Sequence, residues 1–159
     1  MPTATRARRQ GPPQAAAQRV LYLAEPAGAY TVHPPAVIDC SLVSAMLWAE
    51  PAADAARERT RGRSLHAPTL LAYELANVAR NKCRSGVPEA AARDGLAAFA
   101  EHRIALHDEP PAELFDLAQR LGLTAYDAAY LSLAIHLRAP LLTFDQRLAA
   151  AARALGGAE

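Results

Sequence analysis

The chain has 159 residues and a mass of 16.9 kDa, enough for one domain with a real core and too few for two ordinary ones. Apolar residues make up 52% and charged residues 21%, which argues against wholesale disorder, and a net charge of +1 excludes both a basic nucleic-acid coat and a strongly acidic tail. Two cysteines, Cys40 and Cys83, cannot build a disulfide scaffold, and no apolar run approaches the roughly 20 residues that span a bilayer, so the expected setting is cytoplasmic, with no membrane partner.

Residues 1–35 stand apart. They hold Pro2, Pro12, Pro13, Pro26, Pro34 and Pro35, with arginines and glutamines between them, and read as a flexible N-terminal extension. Within it, Val20-Leu21-Tyr22-Leu23 could pack locally, and Arg6, Arg8 and Arg9 could form a basic arm or simply be solvated. From Ala36 the pattern is regular, and residues 36–159 form one expected domain. Ala36-Val37-Ile38 is a short apolar strand ending at Asp39. Ser41 is placed to cap a helix reaching about Glu50, and Pro51 opens another to about Thr60. Leu65-His66-Ala67 is a second strand. Thr69 is placed to cap a helix to about Arg84, with Leu71, Leu75 and Val78 as its buried stripe. Pro88 starts a helix to about His102, and Ile104-Ala105-Leu106 is a third strand. Pro111–Leu121 is helical and stops at Gly122. Thr124 caps a nearly all-apolar helix to about Leu137. Leu141-Leu142-Thr143 is a fourth strand, and Asp145 opens the last helix. Short apolar strands alternating with helices imply an α/β fold: a central parallel sheet of four or five short strands with helices on both faces.

In such sheets, ligands bind beyond the carboxyl ends of the strands. Asp39 and Asp145 both fall there. Each also suits a helix cap, since Asp is favoured where a helix begins. Asp127 lies three residues after Thr124, as in a capping box. It is also the only acid of an apolar helix, on the side of Tyr130, Leu131 and Ala134. Glu74 borders the apolar stripe of its own helix, with Asn77 beside it, where a solvated glutamate would face away.

Converging carboxylates conflict. Two of them about 4 Å apart repel by roughly 4 kcal/mol at an effective dielectric near 20. A divalent cation removes that conflict, and oxygen-only ligands favour Mg²⁺ or Mn²⁺ over zinc. Such a cation can hold an attacking water and neutralise charge on a phosphodiester, with no side-chain nucleophile needed.

Four blocks now carry a family likeness: Val-Ile-Asp-Cys-Ser (37–41), Tyr-Glu-Leu-Ala-Asn-Val (73–78), Thr-Ala-Tyr-Asp-Ala-Ala-Tyr (124–130) and Thr-Phe-Asp-Gln-Arg-Leu (143–148). Their order and spacing resemble the signature blocks of the PIN domain, and more closely those of the VapC toxins of bacterial toxin–antitoxin pairs. The resemblance implies a three-layer sandwich and a metal-dependent endoribonuclease acting on structured RNA. It assigns Asp39, Glu74, Asp127 and Asp145 to an acidic quartet around Mg²⁺ or Mn²⁺, with Ser41, Asn77 and Thr143 as polar supports. It further implies a cognate antitoxin that blocks the site, and a homodimer. Two departures accompany it: the first 35 residues precede the usual start of these toxins, and Phe144 stands where a small or polar residue is common.

The remaining residues read as ordinary. The five histidines lack zinc-site spacing, Cys40 is expected to alternate away from the acids, and Arg57, Arg59, Arg61 and Arg63 form a cluster suited to solvent, RNA phosphate or a partner. Trp48, Leu47 and Met46 suit core or interface. The competing reading is a catalytically silent PIN-like module that binds nucleic acid or protein. A phosphatase with a strand-end aspartate nucleophile would need a second aspartate where Ser41 stands.

Overall fold

The computed structural model describes residues 33–156. Most of the expected extension over residues 1–35 therefore lies outside the described residues, including its Val20–Leu23 run and its arginines. Four strands and seven helices are described: β1 (Pro35–Ile38), α1 (Cys40–Leu47), α2 (Ala53–Thr60), β2 (Ser64–Pro68), α3 (Leu70–Arg84), α4 (Glu89–Glu101), β3 (Ile104–His107), α5 (Pro111–Leu121), α6 (Ala125–Leu137), β4 (Leu141–Leu142) and α7 (Gln146–Ala154). None of the described helices is long and apolar enough to cross a membrane.

The sheet is wholly parallel, in the order β3-β2-β1-β4. The chain steps outward from β1 to β2 to β3, then returns across the sheet to place β4 on the far side of β1. Right-handed crossovers in opposite directions put their helices on opposite faces. The packing agrees, since α1, α2, α3 and α4 contact one another and α5 contacts α6. The strand order reverses between β1 and β4, so the crevice at their carboxyl ends is the topological switch point.

Burial explains the unbroken apolar strands. Ala36, Val37 and Ile38 are fully buried, as a central parallel strand covered on both faces requires. Helix α6 is buried continuously from Ala128 to Ala134 and packs on β1, β2 and β4. Thr124 caps it by accepting the Asp127 N–H at 3.1 Å, and Gly122 closes α5 in the left-handed conformation (φ 63°) that glycine adopts without a steric penalty. Gly95 of α4 is needed for a different reason: a Cβ there would overlap the Trp48 indole.

Several local expectations are corrected. The cap of α1 is Asp39, not Ser41, which lies inside the first turn. Thr69 occupies the cap position of α3 but makes no capping bond; its hydroxyl donates to Asp108 Oδ1 at 3.0 Å. Helix α3 buries Leu71, Leu75 and Ala79, and Val78 is only half-buried. Thr143 lies just beyond β4 rather than within it.

Candidate active site at the carboxyl edge of the sheet

Asp39 is the centre of the crevice. It leaves β1 with an extended backbone (φ −99°, ψ 175°), and Oδ1 accepts the Leu42 N–H at 3.1 Å, starting α1. Two hydroxyls converge on the same carboxylate: Ser41 Oγ lies 2.8 Å from Oδ1 and 2.9 Å from Oδ2, and Thr143 Oγ1 lies 2.7 Å from Oδ2. Both hydroxyls are polarised by what they accept. Ser41 Oγ takes the Phe144 N–H at 2.9 Å, and Thr143 Oγ1 takes the Asp145 N–H at 2.9 Å. With an acceptor site on each oxygen filled, both protons are directed at Asp39. The carboxylate is 5% exposed, and burial pushes its pKa above the ordinary value despite the bonds from Thr143, Ser41 and Leu42.

Glu74 approaches from α3. It is half-buried, and Oε2 accepts the Tyr130 hydroxyl from α6. Burial raises its pKa; the Tyr130 bond opposes this, while the charges of Asp39 and Asp127 add to it. Asp127, half-buried in the first turn of α6, thus lies within electrostatic reach of Glu74. The structure brings these three acids to one edge. Asp145 differs: it is exposed, and its Oδ1 accepts the Arg147 and Leu148 N–H groups at 2.8 and 3.0 Å as the cap of α7. Only its backbone N–H joins the Asp39 network. Asn77 is exposed, and no bond to Glu74 is found among the described residues.

Three contributors escaped sequence reasoning. Helical spacing sets Tyr130 on the Asp127 side of α6, yet nothing in the sequence marks its hydroxyl as a partner for Glu74, 56 positions away. Arg59 was one of four arginines; its guanidinium donates to the Thr143 carbonyl at 3.0 Å and covers the Phe144 ring at 5.6 Å, steadying the segment whose hydroxyl holds Asp39. Cys40 was expected to face away; it begins α1 half-buried, and burial together with the charges of Glu74 and Asp39 pushes its thiol up to about 12. It stays protonated and is no nucleophile. The same burial, with the Glu74 bond, drives the Tyr130 phenol well above its ordinary range, so it remains a donor. Elsewhere, His66 and His107 form a ring-to-ring hydrogen bond of 2.9 Å across β2 and β3.

None of the four acids takes part in an ion pair among the described residues. A buried carboxylate with two acidic neighbours and no ion-pair partner among the described residues fits a hard divalent ion, because oxygen donors are what such an ion takes. The fit is one of donor chemistry: among the described residues no three side chains already close around one point.

A pH dependence follows. The folded pKa values of Asp39 and Glu74 lie above their ordinary 3.8 and 4.5, so the folded state holds protons that the unfolded state has released. Their contribution to stability is complete below those ordinary values and is lost as pH rises through the folded ones. In chelator, the melting temperature of wild type should therefore fall relative to Asp39→Asn/Glu74→Gln as pH is raised from about 4 to 7. A wild type that gains on the variant over that range would contradict the burial argument.

Comparison with known proteins gives three findings. The sequence pattern of the PIN domain family matches residues 36–154. Ribonuclease VapC3 of Pyrobaculum aerophilum is 36% identical over 119 residues, which is 71% of this chain and 91% of that protein. The crystal structure of PAE2754 from Pyrobaculum aerophilum superposes with a TM-score of 0.65 at 27% identity, over 82% of this chain and 91% of that one.

Proposed function

The chain belongs to the PIN-domain family, with a VapC-type sequence, and from that premise we propose that it is a divalent-metal-dependent endoribonuclease, the cytoplasmic toxin of a toxin–antitoxin pair. The observation that carries the reading is the buried Asp39 carboxylate, clamped by Ser41 and Thr143 beside Glu74 and Asp127, with no cationic partner among the described residues. Asp39, Glu74 and Asp127 would hold Mg²⁺ or Mn²⁺, with Asp145 as the fourth acid of the set.

When bound, the cation supplies an activated water and charge neutralisation at the scissile phosphate. The chain's own part is orientation. Ser41 and Thr143 fix both Asp39 oxygens, so little rotamer entropy remains to be lost on binding. Helix α6 carries Asp127 in its first turn, at the end where the helix dipole favours an anion.

Exposed apolar side chains support the protein partners. Tyr73 and Tyr126 are 75% and 68% exposed and immediately precede Glu74 and Asp127. Exposed aromatic side chains on the helices that carry the acids suit an antitoxin, and exposed Phe115 on α5 and Ile135 on α6 suit a homodimer contact.

The test is direct. Purified protein should cut RNA in Mg²⁺ or Mn²⁺, lose the activity in excess EDTA, and regain it on metal return. Calorimetry should show Mn²⁺ binding that Glu74→Gln weakens. Absence of both cleavage and Mn²⁺ heat would leave a silent binding module instead.

A further inference from the structure

Tyr130 sits in the middle of the buried stretch of α6 and is 3% exposed. A tyrosine so deeply buried needs a partner for its hydroxyl, and here that partner is Glu74 Oε2. We propose that Tyr130 is a positioning residue for Glu74: its hydroxyl holds Oε2, fixes the side-chain rotamer, and leaves Oε1 as the oxygen offered to the divalent cation. This rests on the metal-dependent reading above.

The need for such a clamp is physical. Glu74 has three rotatable side-chain bonds, where Asp39 has two and is held by Ser41 and Thr143. The charges of Asp39 and Asp127 repel it. Left alone, the carboxylate would swing toward water, because α3 places it at a half-buried edge. A neutral hydroxyl can hold one oxygen without neutralising the group, which an arginine or lysine in the same place would do. Tyr130 also lies three residues after Asp127 on one helix face, so α6 carries one acid and the clamp of another. The two acids are thereby set relative to each other by a single rigid element.

The experiment is a double-mutant cycle on Mn²⁺ affinity, read by calorimetry, with metal-free melting as the control for folding. Tyr130→Phe removes one oxygen and keeps the ring in the core. It should weaken Mn²⁺ binding about 10-fold or more, as loss of a bond to a metal-ligating carboxylate does. In the Glu74→Gln background the same change should have almost no further effect, because the hydroxyl acts through that carboxylate. A merely structural tyrosine would lower the metal-free melting temperature and weaken Mn²⁺ equally in both backgrounds, which would overturn the proposal. So would a Tyr130→Phe variant that binds Mn²⁺ as well as wild type, or more tightly, while Glu74→Gln binds weakly. If wild type itself takes up no Mn²⁺, the metal-dependent reading fails and this proposal falls with it, an outcome distinct from the others.

Discussion

Asp39→Asn is expected to lower RNA cleavage by at least about 100-fold while leaving the fold intact. Asparagine keeps the volume but replaces one acceptor oxygen with an NH₂ group and removes the charge. Asp39 now accepts from Ser41, Thr143 and the Leu42 N–H. An amide can still cap α1 through its oxygen, and the hydroxyl facing its NH₂ must rotate. Relief from burying a group that can ionise offsets or exceeds the cost of that rotation. Near neutral pH and without metal, the variant should melt at or above the wild-type temperature. Cleavage of a labelled RNA and thermal melting of the same preparations check both statements. Wild-type cleavage by the variant would remove Asp39 from the mechanism. A collapsed melting transition would show that its role is to hold the fold.

Leu131→Ala should have the largest effect on stability. Leu131 is 1% exposed within the single core cluster and lies one helical turn after Asp127. Truncating a leucine in so enclosed a place loses transfer free energy and leaves a cavity, together about 2–5 kcal/mol. For a domain of this size that corresponds to a fall in melting temperature on the order of 10 °C. Held well below its new midpoint, the folded variant should still cut RNA within several-fold of wild type, since none of the candidate acids is changed. An unchanged midpoint would mean that α6 can collapse onto the space, and that its packing is looser than its burial implies.

Much of this architecture follows from local pattern. Ala36-Val37-Ile38 and Leu141-Leu142 are too short and too apolar for anything but buried strands, and Thr124 and Gly122 mark helix ends through bonding and backbone freedom that act within four residues. The strand-end rule likewise brought Asp39 to the correct edge, and the position of Glu74 on the rim of an apolar stripe brought it to notice. These are short-range or periodic signals, and a chain carries them explicitly.

The sequence by itself determined the alternation of parallel strands and helices, the caps at Thr124 and Asp145, and the short set of acids worth watching. Only the tertiary structure decided which of them lie within electrostatic reach of one another and what holds them. Thr143 reaches Asp39 across 104 positions, Tyr130 reaches Glu74 across 56, and Arg59 reaches Thr143 across 84. Asp145, a symmetric partner of Asp39 by sequence, instead points its Oδ1 at the backbone of α7. The reason is that a helix cap is set by the next three residues, whereas a site contact depends on sheet order and crossover direction. In this fold the return of β4 to the far side of β1 brings Thr143 to Asp39, and no window along the chain encodes that step.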